Sequence, residues 1–384
     1  MKATPLCSNH LKVLLVGDAS NCHHALAVGL RRLGHHVTVA SDGSTYMRTQ
    51  RDFDLNRKYT SKFGGILYFL RLQWLFRTRF KGYDIVSIIN PNFLWLRPSR
   101  IKTFFKLLKK NNRSIFITAS CTDSNFIEEC LDSSSKLSYN EYRNGDKLLP
   151  YASSADAKSG LEKSRKIVED YIYAGLDGGV AVLYEYEIAL RRKLPEDRIA
   201  YGGIPIDLSD IPVPKLVYDW PVRICLGWKE GKEDCKGYEY MRIAAEHLVK
   251  KYPDKCSFEI LRNLPRDEYN NIRLSSHIML DQVYSYTPAT NALESMAMGA
   301  TVLSGAEPAF FEYIHELPCS AICNAMPDVA HNTQLLERLV LNPDILDRNA
   351  KSGHDFVVRN NSCEVVAARF VDHWNKVLRL KYEI

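Results

Sequence analysis

The residues best placed to do chemistry in this 384-residue chain lie between Asp281 and Gly299, in DQVYSYTPATNALESMAMG. Thr287 is suited to cap a helix, and Pro288 to its first position, where an N–H needs no partner. Gly299 is suited to end the helix in a left-handed conformation. Free N–H groups at Ala289 and Thr290 would then meet an anion such as a nucleotide diphosphate. Glu294 follows Thr290 by four residues, on the same helical face one turn deeper, where a carboxylate can bond both hydroxyls of a ribose. An amphipathic helix with a surface glutamate has the same pattern. A second candidate is Asp123, just past an apolar run at 114–120. Catalytic groups of open α/β sheets gather at such strand ends, where Asp123 can orient or deprotonate an acceptor hydroxyl or simply form a turn.

These residues need a scaffold of alternating strands and helices. Apolar runs at 11–16, 35–40, 84–90, 114–120 and 177–182 read as buried strands, and 222–226, 257–261, 277–280 and 301–303 repeat the pattern. The order of strand, loop, helix and strand predicts a doubly wound α/β fold. Gly17-Asp18 opens the first loop without a G-x-G-x-x-G fingerprint, which argues against a nicotinamide enzyme. The length suggests two domains. With 46% hydrophobic and 25% charged residues the composition is that of a globular chain. No uninterrupted apolar run of about eighteen residues predicts a membrane span, and the first residues lack the apolar core of a secretory signal. Ten cysteines without a C-x-x-C pair fit reduced thiols in a cytoplasm.

One region departs from this ordinary composition. Residues 62–81, KFGGILYFLRLQWLFRTRFK, interleave aromatic and aliphatic side chains with Arg71, Arg77, Arg79 and Lys81 and contain no acid. A second such run, FLWLRPSRIKTFFKLLKK, spans 93–110. Two readings are open: ordinary helices with solvated basic faces, or peripheral contact of residues 62–110 with an anionic membrane. The chain as a whole is not basic enough to favour nucleic acid as a partner.

Asp281-Gln282 followed by Glu294-Ser295-Met296-Ala297-x-Gly299 resembles the nucleotide-binding segment of GT-B glycosyltransferases of the group-1/family-4 type. Lys236-Gly237 resembles the family's K-G at a helix start, with Lys229 or Lys232 in place of the usual upstream arginine. Gly17-Asp18, the Thr122-Asp123 loop and Ile204-Pro205-Ile206-Asp207 are similar to further family segments, so the likeness runs through nearly the whole chain. The resemblance implies two Rossmann-like doubly wound α/β domains facing a cleft. The first would span 1–207, with an insertion at about 126–170. A linker at 208–221 would lead to a nucleotide-sugar domain at 222–362, and a helix at 363–384 would cross back to the first domain.

The implied reaction moves a sugar, with retention, from a UDP- or GDP-sugar to a saccharide or lipid-linked acceptor. It needs no metal and no tightly bound cofactor, in the cytoplasm or at the inner face of a membrane. The donor would meet Gly17, Asp18, Lys229, Lys236, Gly237, Asp281, Gln282, Tyr286, Ala289, Thr290 and Glu294. Asp123, Lys236 and Glu294 would act in catalysis. The pattern departs at Tyr286, which stands eight residues before Glu294 where relatives often carry an acid. That departure keeps a non-catalytic, membrane-associated GT-B-like protein open, and a nucleotide-sugar epimerase would share the architecture.

Overall fold

The computed structural model describes residues 10–44, 49–209, 211 and 221–382. Most of the expected 208–221 linker lies outside the described residues. Along the chain come β1 (Lys12–Val16), β2 (His36–Ser41), β3 (Phe53–Asp54), β4 (Ile85–Ile88) and β5 (Ser114–Ala119). They are followed by β6 (Tyr139–Asn140), β7 (Arg143–Asn144), β8 (Lys147–Leu148), β9 (Gly178–Ala181) and β10 (Ile199–Tyr201). The last five are β11 (Val222–Trp228), β12 (Cys256–Arg262), β13 (Ile278–Leu280), β14 (Thr301–Ser304) and β15 (Ile322–Asn324). Every strand expected from an apolar run is present. The additional ones are short or lie at edges, where periodicity is weakest.

The chain divides into two compact units. The first comprises Met1–Glu129, Asp156–Pro205 and Cys363–Ile384; the second comprises Cys130–Ala155 and Ile206–Ser362. In the first, the strand order is β10-β9-β5-β4-β1-β2-β3, and the pairings are parallel. Val13 pairs with Val37 on one side and Ile85 on the other. Val13 to Val16 are completely buried, as parallel strands covered on both faces require. The order reverses between β1 and β4, so the loops after these strands splay apart and leave room for a ligand at their carboxyl ends. The Cys363–Tyr382 helix belongs to this unit, where Phe370 and Trp374 bury completely.

The second unit has the order β12-β11-β13-β14-β15, again with parallel pairs. Its reversal falls between β11 and β13, so Lys229 and Asp281, each next after its strand, flank the switch point.

Two sequence expectations are corrected. The expected insertion at about 126–170 narrows to residues 130–155, which interrupt the first unit in sequence and are not a plain loop. A helix spans Ser124–Leu131, and residues 130–155 group with the second unit around the antiparallel sheet β6-β7-β8. Buried Arg143 holds this segment together, donating to the carbonyls of Cys130, Asp132, Leu137 and Gly145. A polar composition hides a compact strap because its core is a guanidinium satisfied by backbone oxygens. The Glu294 helix also starts later than expected, spanning Thr290–Ala297 with Ala289 as N-cap. The Ser285 hydroxyl donates to the Thr287 carbonyl at 2.7 Å. Thr287 thus belongs to the turn before the helix, not to its cap.

Candidate functional site

At the switch point of the second unit, the short Glu233–Lys236 helix ends at Gly237, which is left-handed at φ 64°. A Cβ there would lie 2.2 Å from Val283 Cγ2, so only glycine lets this turn sit against the loop after β13. The Val283 N–H donates to the Lys236 carbonyl at 2.9 Å, and Lys236 Nζ donates to Gln282 Oε1 at 2.9 Å. Lys236, Gly237, Asp281 and Gln282, distant in sequence, are thereby brought together. Lys229 lies close enough to Lys232 and Lys236 to feel both. Burial first, then repulsion from these two cations, lowers its pKa. Three ammonium groups concentrated at a strand end favour an anion.

The carboxylates here have protein partners. Asp281 is buried, accepting from Ser304 Oγ at 3.0 Å and Asn291 Nδ2 at 3.3 Å, with Lys236 Nζ 4.0 Å away. Glu294 Oε2 is 2.6 Å from Arg273 Nη1, with the glutamate side chain 17% exposed and the arginine 4%. Arg273 Nη2 also donates to Asn270 Oδ1 at 2.9 Å. Arg273 was not legible as a site residue, because no local signal links it to a glutamate 21 positions later. Thr290 follows Ala289, whose carbonyl accepts from the Leu293 N–H as the helix begins.

Tyr286 is buried, not open at a surface. Its oxygen accepts from the Ser138 N–H at 2.8 Å, and Ser138 Oγ lies 2.8 Å from it as well. Tyr139 stacks on it with centroids 5.1 Å apart, and the Tyr139 hydroxyl donates to Glu307. The strap closes again at Tyr151, which contacts Lys232 through its hydroxyl and lies under the ammonium at 4.6 Å. Segment 130–155 thus rests on both the position eight residues before Glu294 and the lysine cluster.

In the first unit a cavity of about 930 Å³ opens at the β1/β4 switch point, with Gly17, Asp18, Asn90, Trp95, Arg97 and Cys121 among its lining residues. Gly17 has φ 81°, and a Cβ would come within 2.4 Å of Ile89 Cγ2. Asp18 accepts from the His23 N–H and Thr49 Oγ1, each at 2.9 Å, and burial raises its pKa. His23, missed by sequence reasoning, is buried between the Gly17 carbonyl and Thr118 Oγ1, and burial lowers its pKa to about 4. Asp123 is not at the cavity wall. It caps the Ser124–Leu131 helix through the Phe126 N–H at 2.8 Å and accepts from Tyr173 at 2.5 Å. Burial, and then the nearby Glu169 charge, raise its pKa to about 6.

Among the described residues no helix is long and apolar enough to cross a membrane, and no three His, Cys, Asp or Glu side chains converge as a metal site requires. No family model and no curated protein matches the sequence. Solved structures do match in fold. A sucrose-phosphate synthase from Thermosynechococcus elongatus aligns with TM-score 0.62 and 13% identity, over 96% of this chain and 100% of that one. The Anabaena protein HepE, in complex with UDP and glucose, aligns with TM-score 0.58 and 8% identity over 94% and 99%. A UDP-GlcNAc 2-epimerase from Neisseria meningitidis, bound to UDP-GlcNAc, aligns with TM-score 0.51 and 12% identity over 95% and 99%. At these identities the likeness shows the fold: two Rossmann-like units of the GT-B class.

Proposed function

We propose that the chain is a glycosyltransferase of hexosyl type that takes a UDP- or GDP-sugar and passes the sugar to an acceptor hydroxyl, with retention. The observation that carries this reading is the build of the second switch point, where Lys229 follows β11, Lys232 precedes the short Glu233–Lys236 helix, and Lys236 Nζ bonds Gln282 with Asp281 4.0 Å away. A leaving nucleoside diphosphate develops negative charge, and fixed cations at a partly buried site stabilise it. In this reading Lys229 and Lys236 meet the diphosphate, with the N–H groups at the Thr290 helix start. Glu294 receives the ribose hydroxyls beside Arg273. Gly17 and Asp18, which the resemblance gave to the donor, line the cavity of the first unit, and in this reading that cavity takes the acceptor. Asp123 acts by capping the helix behind the β5 end, a positioning role rather than contact with the acceptor hydroxyl.

The fold likeness to an enzyme named as a UDP-GlcNAc 2-epimerase supports a second reading, modification of a sugar nucleotide without an acceptor. The two separate by product: the epimerase returns an altered sugar nucleotide, whereas the transferase releases a nucleoside diphosphate.

Thermal-shift titration with nucleoside diphosphates and their sugars tests the shared core of both. A ligand at a hundredfold excess over its Kd stabilises the folded chain by about 2.7 kcal/mol. Lys236→Ala should weaken that ligand by about 2 kcal/mol through loss of a charged hydrogen bond, with little change in ligand-free melting. A flat response to every nucleotide in the folded protein would overturn the reading and leave a non-catalytic protein on this fold.

A further inference from the structure

The Lys62–Thr78 helix is apolar on two opposite faces. Gly64, Tyr68, Leu72, Leu75 and Phe76 are buried in the first unit. Phe63, Ile66, Leu67, Leu70 and Trp74 form the other stripe and are between 44% and 69% exposed. Their spacing of three or four residues sets them in one line along the helix. Five large apolar side chains on a single exposed line exceed the scattered surface hydrophobes of an ordinary monomer.

The charge around the stripe identifies its occupant. The helix and its flanks, residues 57–81, hold seven Lys and Arg and no acid, in a chain whose net charge is only +6. The Lys62–Thr78 helix itself carries no acid. A second copy docked face to face would set two such basic regions against each other. A nucleic acid would leave the aliphatic side chains of Ile66, Leu67 and Leu70 against phosphate. An anionic bilayer satisfies both features, because headgroups pair with the cations while the apolar line enters the acyl boundary.

We propose that this face of the first unit docks on an anionic lipid bilayer. Lys62, Gly65 and Ile66 of the same helix also line the cavity at the β1/β4 switch point, so docking holds that cavity beside the lipid headgroups. The interaction is independent of the transferase reading, since neither the stripe nor its cations belong to the lysine site of the second unit.

The test is co-sedimentation of the full chain with phosphatidylcholine vesicles, with and without ~30% phosphatidylglycerol, at about 0.1 M salt and again at about 1 M. Binding should require the anionic lipid and weaken at high salt. Leu67→Asp with Leu70→Asp should abolish it, and Arg77→Glu with Arg79→Glu should reduce it by about tenfold or more. All four side chains are exposed, and unchanged melting and nucleotide-induced shifts in both variants separate lost docking from lost folding. Equal binding to neutral vesicles, or none to anionic ones, overturns the proposal. So does a solution dimer dispersed by Leu67→Asp with Leu70→Asp, or RNA binding that the same variant retains. Vesicle binding without any nucleotide shift would sink the transferase reading and leave docking standing.

Discussion

The switch point of the second unit and the Lys62–Thr78 face of the first both gather cations, and they treat them oppositely. At the switch point Lys236 sits beside Gln282 and Asp281, Lys232 on Tyr151, and Arg273 on Glu294, each against a built partner. Along residues 57–81 many positive groups share the surface with exposed hydrocarbon, and no acid lies among them in sequence. Preorganised charge suits a small ligand of defined geometry, because little reorganisation remains to be done on binding. Diffuse charge suits a large, deformable partner recognised by sign and area. The comparison teaches that net charge alone would have missed both, one being local and partnered, the other regional and unpartnered by acid.

The largest expected effect tests how firmly the second site is built. Glu294→Ala leaves the Arg273 guanidinium buried without its carboxylate, and should cost about 3 kcal/mol or more of stability in urea unfolding. Glu294→Gln keeps an acceptor and should cost less. If Glu294→Ala unfolds like the parent and only nucleotide binding suffers, the pair is weaker than its geometry implies and the site less rigid.

The next effect sharpens the contrast in the other direction, because acid should loosen the first unit before the second. His23 and His373 both lie in the first unit, and burial lowers each pKa to about 4. A lowered histidine pKa means the unfolded chain binds the proton first, so the stabilisation is full above about pH 6.5 and is lost as pH falls toward 4. Between pH 7 and 5 each histidine should withdraw roughly 2 kcal/mol. Asp123 works against them: its pKa raised to about 6 makes the native state the better proton acceptor, so its contribution falls as pH rises through that range. Hydrogen exchange, corrected for intrinsic rates, should show protection lost around the Cys22–Arg32 and Cys363–Tyr382 helices first. Loss beginning in β11–β14 would reverse the contrast.

The smallest effect concerns the strap. Tyr286→Phe removes the oxygen that accepts from Ser138 but keeps the ring under Tyr139, and should cost about 1 kcal/mol. Faster exchange confined to residues 137–148 would identify the strap as separately released. Uniform loss across the second unit would instead make it part of that unit's core.

Much of the fold was legible because parallel strands buried on both faces are nearly continuous apolar runs, such as LKVLLV before Gly17, with glycine or polar residues where each must stop. Lys236-Gly237 and Asp281-Gln282 were also legible, since both stand at such strand or helix ends. The build of residues 130–155 was not, because three short strands arranged around Arg143 carry no periodicity. The helix start was misplaced by two residues, in a turn where the Ser285 hydroxyl bonds the Thr287 carbonyl, a contact that propensity does not encode.

Local pattern by itself therefore determined the α/β class, the two sets of parallel strands and the acid-free basic region, all of which follow from the order of apolar and charged residues. Only the tertiary structure decided which charges meet. Arg273 reaches Glu294 across 21 residues, Ser138 covers Tyr286 across 148, and Asp123 turns inward to cap a helix. The physical reason is that burial makes a polar group seek whichever partner the fold brings within about 3 Å, and sequence separation places no limit on that distance.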